Sequence, residues 1–280
     1  MNTKKIFFLL VAFIFSTVAY AAPDYLAVHF LDVGQADCTL IKSPAGQTML
    51  LDTGDTEGGD LVVKYLTKLG VKKIDILVGT CPGEAHLGGM PTIIKAFPVN
   101  QLYLPKTPDQ KIFKEIWSAT KGKKLKPATL EAGMSLNLDF ALNIEVLAPN
   151  APKYTNVNDY STVIKVSYGK TSFLFTGAAG RQSETEMLTK GYNLKSDLLK
   201  VSQHGSNNAT TPAFLKAVAP KYAVISVASD QNDLPHPLTV NRLEKAPARI
   251  IRTDRDGTIV AASDGERIQI TTVPMGSICK

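Results

Sequence analysis

The chain has 280 residues, a formal net charge of +6, 44% hydrophobic and 20% charged residues. That composition excludes a disordered chain, a collagen-like fibre and a multi-span membrane protein, and the length allows a large buried core. Three cysteines, Cys38, Cys81 and Cys279, are too few for a disulfide scaffold, although one disulfide and one free thiol are open to an oxidised chain.

Two lysines, Lys4 and Lys5, precede an apolar stretch from Ile6 to Phe15, and Ala19-Tyr20-Ala21 then offers small residues at cleavage positions. This is the layout of a secretory signal peptide, residues 1–21, and the apolar run falls short of the ~20 residues of a bilayer span. The expectation is an exported protein, periplasmic or secreted, with no membrane span after cleavage and a single domain over residues 22–280.

In chain order, strands are expected at Tyr25 to Val33, Asp37 to Lys42 and Thr48 to Asp52, with turns at Gly34 and Pro44-Ala45-Gly46. Leu61, Val62, Tyr65, Leu66 and Leu69 recur at helical spacing, and Gly70 supplies a stop. A buried strand at Ile74 to Val78, a polar loop, a helix near Met90 to Phe97 and a strand near Gln101 to Leu104 follow. The second half gives strands at Phe140 to Leu147, Ser161 to Tyr168, Thr171 to Phe175, Asp197 to Val201 and Tyr222 to Val227. Its helices lie near Glu184 to Lys190, Pro212 to Val218 and Leu238 to Lys245, before closing strands near Arg249 to Thr253, Gly257 to Ala262 and Arg267 to Thr272. Hairpins followed by alternating strands and helices, in both halves, predict an α/β protein of two packed sheets with helices outside.

Polar loops follow five of these strands: Asp32-Val33-Gly34-Gln35-Ala36-Asp37, Asp52-Thr53-Gly54-Asp55, Pro82 to Gly89, Thr176-Gly177 and Gln203-His204-Gly205-Ser206. Strand ends that converge on one rim are how layered α/β folds build sites. Together with Asn158-Asp159-Tyr160-Ser161, Leu199-Lys200-Val201 and Pro235-His236-Pro237, these segments resemble the metallo-β-lactamase-fold hydrolases, in their ComEC-like competence-protein branch. The resemblance implies a four-layered αββα sandwich with its site along one rim, and water activated by one or two metal ions.

Where the resembled pattern carries metal-binding side chains, this chain reads Cys81, Gly83, Ala85 and His86, and only His86 matches. Ala178 stands in place of a bridging aspartate, and Gln203-His204 in place of paired histidines. Glycine and alanine offer no donor, so the resemblance implies a dismantled dinuclear site at Gly83, Ala85, Ala178 and Gln203, with no cofactor expected. The alternative is one Zn or Mn ion on Cys81, His86, His204 and His236, with Asp55 or Glu84 as an added carboxylate. Asp32, Gln35, Asp37 and Asp52 are expected to tie the rim loops together through buried hydrogen bonds to backbone amides, with Asp55 and Ser206 in the same rim motifs, and glycines such as Gly88 and Gly89 to permit close backbone approach. Ser161, Ser206 and Cys81 are candidate nucleophiles with His86 or His204 as base, although no Gly-x-Ser-x-Gly elbow is present. Two functions stay open: an inactive binding protein for a protein or polyanionic partner, or an active phosphodiesterase-like hydrolase. Basic clusters at Lys72-Lys73, Lys121 to Lys126, and Arg249, Arg252 and Arg255 keep nucleic acid among the candidate partners.

Overall fold

The computed structural model describes residues 25–106, 111–229 and 233–274; the expected signal peptide and Cys279 lie outside them. The first half forms β1 (Leu26–Phe30), β2 (Thr39–Lys42), β3 (Thr48–Leu51), α1 (Gly59–Lys68), β4 (Ile74–Val78), α2 (Glu84–Leu87), α3 (Met90–Ala96), β5 (Val99–Tyr103), α4 (Lys111–Thr120) and β6 (Pro127–Ala128). The second half forms β7 (Leu142–Ala148), β8 (Val163–Tyr168), β9 (Thr171–Phe175), α5 (Arg181–Thr189), β10 (Leu198–Lys200), α6 (Pro212–Val218), β11 (Tyr222–Ile225), α7 (Pro237–Lys245), β12 (Arg249–Arg252), α8 (Thr253–Asp256), β13 (Thr258–Ser263) and β14 (Ile268–Val273).

An eight-stranded sheet runs in the order β14-β13-β1-β2-β3-β4-β5-β6, and a six-stranded sheet in the order β12-β11-β10-β9-β8-β7. Strand alternation sends Val28, Phe30, Met49 and Ile76 of the first sheet against Val166, Phe173, Phe175 and Leu198 of the second, which makes the central core. The opposite faces bury Leu40, Leu50 and Leu77 under α1, α3 and α4, and Leu174, Leu199 and Ile225 under α5, α6 and α7. Four layers, αββα, result.

The expected strands and helices all form, with ends displaced by a few residues. The strand of Ile74 to Val78, the strand of Thr171 to Phe175 and the helix of Pro212 to Val218 have the expected bounds. Helix α4 is additional; Phe113, Ile116 and Thr120 recur at its buried face with helical spacing. Within each sheet the parallel strands β3, β4 and β5, and β9 to β12, end on the same side. That shared orientation carries the loops after β3, β4, β9, β10 and β11 to one rim.

His29 of β1 is buried, and its Nδ1 lies 2.8 Å from the Tyr65 hydroxyl of α1. Burial, with Lys42 nearby, lowers its pKa from 6.5 to about 4. Between these values the unfolded chain takes up a proton that the folded chain refuses, so the stability present above pH 6.5 is lost as the pH falls towards 4. A shift of this size is worth about 3 kcal/mol. Urea unfolding of the His29→Phe variant is expected to show a shallower fall in stability from pH 7 to pH 4 than the parent chain; parallel curves would count against the assignment.

Candidate functional site

The rim is organised by Asp52, which ends β3 in a left-handed conformation (φ 60°). Its backbone N–H still donates to Val78 of β4, while its carboxylate turns to the loop after β4 and accepts from Thr80 N at 2.7 Å and Thr80 Oγ at 2.6 Å. His86 Nδ1 donates to the same carboxylate at 2.9 Å. Thr53 N donates to the His86 carbonyl at 2.8 Å, so both ends of the His86 residue are fixed. Burial lowers the His86 pKa, but Asp52 and Asp37 outweigh it and the net shift is upward.

Asp37 lies between β1 and β2, with its N–H bonded to the Ala85 carbonyl at 2.9 Å. Its Oδ1 accepts from Lys200 Nζ of the other sheet at 2.7 Å, with side chains 5% and 3% exposed. His86 Nδ1 stands 3.8 Å from Oδ2, and His204 Nδ1 3.6 Å from Oδ1. Burial alone would raise the Asp37 pKa; Lys200, His204 and His86 reverse that and hold it at about 2. The His86 and His204 rings stack with centroids 6.2 Å apart, and His204 Nδ1 donates to the Ser226 carbonyl at 2.9 Å.

Asp37, Asp52 and His86 place ligand atoms within 4.8 Å of one another, a spacing that could hold one metal ion. The His86 atom that faces both carboxylates is Nδ1, 2.9 Å from Asp52 Oδ2 and 3.8 Å from Asp37 Oδ2. Of the four ligands expected for an altered site, His86 belongs to this cluster and His204 stacks beside it. The other two have different partners. Cys81 is buried, its thiol donates to Asn158 Oδ1 at 3.8 Å, and burial raises its pKa to about 12. His236 caps α7, where its Nδ1 accepts from Leu238 N at 3.1 Å. Cys38 and Cys81 are both unpaired thiols.

Of the positions expected to have lost a ligand, Gln203 and Ala178 take part in hydrogen bonds between loops. Gln203 Nε2 donates to the Ala178 carbonyl at 2.9 Å, joining the loop after β10 to the loop after β9. Ala178 N donates to Ser161 Oγ at 3.2 Å, and Asp159 Oδ1 accepts from Gly180 N at 3.0 Å, at the start of α5. Gly83 has extended backbone and open space beyond its missing Cβ, with His86 the neighbour at 3.6 Å. Ala85 packs on the helix-side core of the first sheet, where a carboxylate would be desolvated. Gly88 and Gly89 press against the backbone of Asp55 and Thr53, leaving no room for any side chain.

The other expected rim residues have local tasks. Gln35 Oε1 accepts from Ala228 N at 3.0 Å, and its buried Nε2 has no partner among the described residues. Asp55 accepts from Gly58 N at 2.7 Å before α1, and Ser206 Oγ from Asn208 N at 3.2 Å. Asp32 is half-buried; burial raises its pKa, against an opposing hydrogen bond from Gly34 N. Glu84 accepts from Thr56 Oγ at the exposed edge. Asp37 departs from the expected backbone-amide role, because its partner is the Lys200 ammonium. Lys200 is the residue that the sequence reading left out of the site. Its signal is a lysine in the otherwise apolar strand Leu198-Leu199-Lys200-Val201, where a buried charge requires a partner.

Removing one partner of a buried ion pair strands the other charge, at a cost of about 3–5 kcal/mol. Lys200→Met is expected to lose that much stability in urea unfolding, and adding Asp37→Asn to restore most of it. A loss below about 1 kcal/mol would show that the pair does not hold this rim together.

Residues 31–229 match the Metallo-beta-lactamase superfamily. The chain is 29% identical over 258 residues to ComE operon protein 3 of Bacillus subtilis, covering 83% of this chain and 32% of that protein. It is also 29% identical over 237 residues to Competence protein ComA of Neisseria gonorrhoeae, again covering 83% and 32%. The chain therefore spans about a third of the length of these relatives. Among solved structures, a putative metal-dependent hydrolase from Parabacteroides distasonis aligns with a TM-score of 0.53 at 15% identity, over 82% of this chain and 93% of that one. YhfI of Bacillus subtilis, a metallo-beta-lactamase fold protein, aligns with a TM-score of 0.51 at 12% identity, over 85% and 99%. With the αββα layers and the rim in place, the match over residues 31–229 settles the family: the chain belongs to the metallo-beta-lactamase superfamily, and its relatives are ComEC-like competence proteins.

Proposed function

We propose that this chain is an exported, catalytically inactive member of its family, whose rim binds a partner without a resident metal. The observation that carries the reading is the Lys200 ammonium seated at 2.7 Å on Asp37, one of the three residues whose spacing would suit an ion. The family usually binds zinc, and here Asp52 already accepts from Thr80 and His86 while Asp37 Oδ1 accepts from Lys200. An ion at this cluster would share Asp37 with an ammonium already seated on Oδ1, and the two positive charges would repel. Gly83, Ala85 and Ala178 supply no further donor.

Support for a retained binding role comes from the backbone. Asp52, Gln203 and His204 all hold left-handed conformations, with φ of 60°, 50° and 53°. Each costs on the order of 1–3 kcal/mol, and such strain persists mainly where the rim shape has a use. The partner in this reading is a protein or a polyanionic ligand. A nucleic acid partner would bind with an affinity that falls steeply as salt rises. The domain is residues 22–280 after removal of the signal peptide 1–21, and the destination is the periplasm or the medium. Among the described residues, no helix is long and apolar enough to cross a membrane.

The Asp37, Asp52 and His86 cluster favours a second reading, a hydrolase of phosphodiester type working through one Zn or Mn ion. Elemental analysis separates the two. After incubation with Zn²⁺ and Mn²⁺ and removal of loose ions, the folded mature chain is expected to retain far less than one ion. A stoichiometric ion, lost together with turnover in His86→Ala, would establish the hydrolase instead. The combined substitution Cys81→His, Gly83→Asp, Ala85→Asp, Ala178→Asp and Gln203→His is expected to raise metal retention in a folded chain; a folded but metal-free product would refute the mapping of ligand positions.

A further inference from the structure

A second polar cavity lies at the opposite end of the six-stranded sheet from the rim. It has a volume of about 490 Å³ and is lined where β9, β10 and β11 begin, by Thr171, Ser172, Asp197 and Lys221 among others. In β8 the side chains of Ile164 and Val166 enter the core between the sheets, so Lys165 between them faces the helix side, where the cavity opens.

Four lysines, Lys165, Lys170, Lys195 and Lys221, line this cavity against a single carboxylate, Asp197. Four positive charges less one negative leave a surplus of three. Asp197 is already engaged: Oδ2 accepts from Ser172 N at 3.0 Å and Ser172 Oγ at 3.2 Å, and Oδ1 pairs with Lys221 at 2.9 Å. Lys170 reaches out to Glu266 at 2.9 Å. Among the described residues, no carboxylate lies within ion-pair distance of Lys165 or Lys195.

Lys165 is the unusual member. It is only 4% exposed, and its ammonium donates to one neutral acceptor, the Asn193 carbonyl, at 2.7 Å. Glu145 stands opposite it on β7. Burial nevertheless lowers the Lys165 pKa, because Glu145 and Asp197 do not fully offset the lost hydration. A largely buried ammonium lining an open cavity, with donor capacity to spare, suits an anion.

We propose that this cavity binds the diphosphate group of a small phosphorylated ligand, with Lys165 at the floor and Lys195 completing the contact. A phosphoryl group carries about 1.5 to 2 negative charges near neutral pH, so a diphosphate meets both lysines without an ion-pair partner, Lys165 and Lys195, beside Lys170 and Lys221, which are paired with Glu266 and Asp197. The volume falls within the range of small-ligand sites and exceeds what inorganic diphosphate fills, which leaves space for an organic group. The site is independent of the rim and of any metal there.

The test is isothermal titration of the folded chain with inorganic pyrophosphate and, separately, with ADP, both without added metal. One site is expected, with affinity weakened at least tenfold in Lys165→Met and at least threefold in Lys195→Ala, as the loss of charge-assisted hydrogen bonds predicts. Tighter binding of ADP than of pyrophosphate would identify an organic diphosphate ester as the ligand, and equal binding the inorganic anion. No binding of either probe, or binding unchanged in both folded variants, would overturn the proposal. A single-stranded oligonucleotide that binds through these lysines while both probes fail would overturn it as well. Lys195 is a surface residue, so Lys195→Ala keeps the test decisive if Lys165→Met fails to fold.

Discussion

The buried pair between Asp37 and Lys200 is the charged contact that joins the two halves of the sandwich at the rim, beside neutral hydrogen bonds such as Gln35 with Ala228 and Thr162 with Thr80. Asp37 comes from the loop between β1 and β2 of one sheet, and Lys200 from β10 of the other. Neither charge can be left alone in this dry interior, so the pair fixes how far apart the two sheets stand where the loops converge. The remaining interactions of the rim build outward from it. Asp37 also faces His86 and His204, and His86 in turn leans on Asp52, which holds Thr80 and the loop after β4. A buried cation thus sits on one carboxylate oxygen of Asp37, whose other oxygen faces His86 in the acidic and imidazole cluster.

Hydrogen bonds between loops hold this rim in shape. In metal-dependent relatives, ions are expected to join the loops that carry the ligands. Here the loop after β10 is joined to the loop after β9 by Gln203 and the Ala178 carbonyl, and the loop after β4 to β3 by Asp52 and Thr80. Gly88 and Gly89 allow α2 and the start of α3 to press on the turn after β3, which is a packing requirement independent of catalysis. Superfamily membership therefore fixes the scaffold, and the side chains on it decide the activity.

Much of the architecture is legible in the chain. The alternation in Thr171 to Phe175 and the apolar run Ile74 to Val78 specify strands directly, since one face of each must enter a core. Helix α4 has the same kind of signal in Phe113, Ile116 and Thr120, with Gly122 as its stop, so it too is legible in the chain. At the site, the missing donors at Gly83, Ala85 and Ala178 are legible because absence of a side chain is a property of the residue itself. Pairings are harder. Cys81, His86, His204 and His236 look equivalent as ligand types, yet one donates to Asn158 and another caps a helix. Asp37 and Lys200 are 163 residues apart, and nothing local in either segment names the other.

Strand β10 shows how one short element can serve two independent sites. Lys200 at its C-terminal end points into the rim, while Asp197, immediately before its N-terminal end, lines the lysine-rich cavity. Three residues of extended chain separate them by roughly 10 Å. The two lysine environments are opposite in kind. Lys200 is neutralised internally by Asp37, which consumes the charge in holding the fold together. Lys165 has no carboxylate within ion-pair distance among the described residues, and Glu145 and Asp197 offset its burial only in part. A buried charge that the fold satisfies is architecture, and one that the fold leaves partly unsatisfied beside an open cavity is available for binding. By that criterion the rim has turned its central charge to structural use, and the capacity to take up an anion lies at the other end of the same sheet.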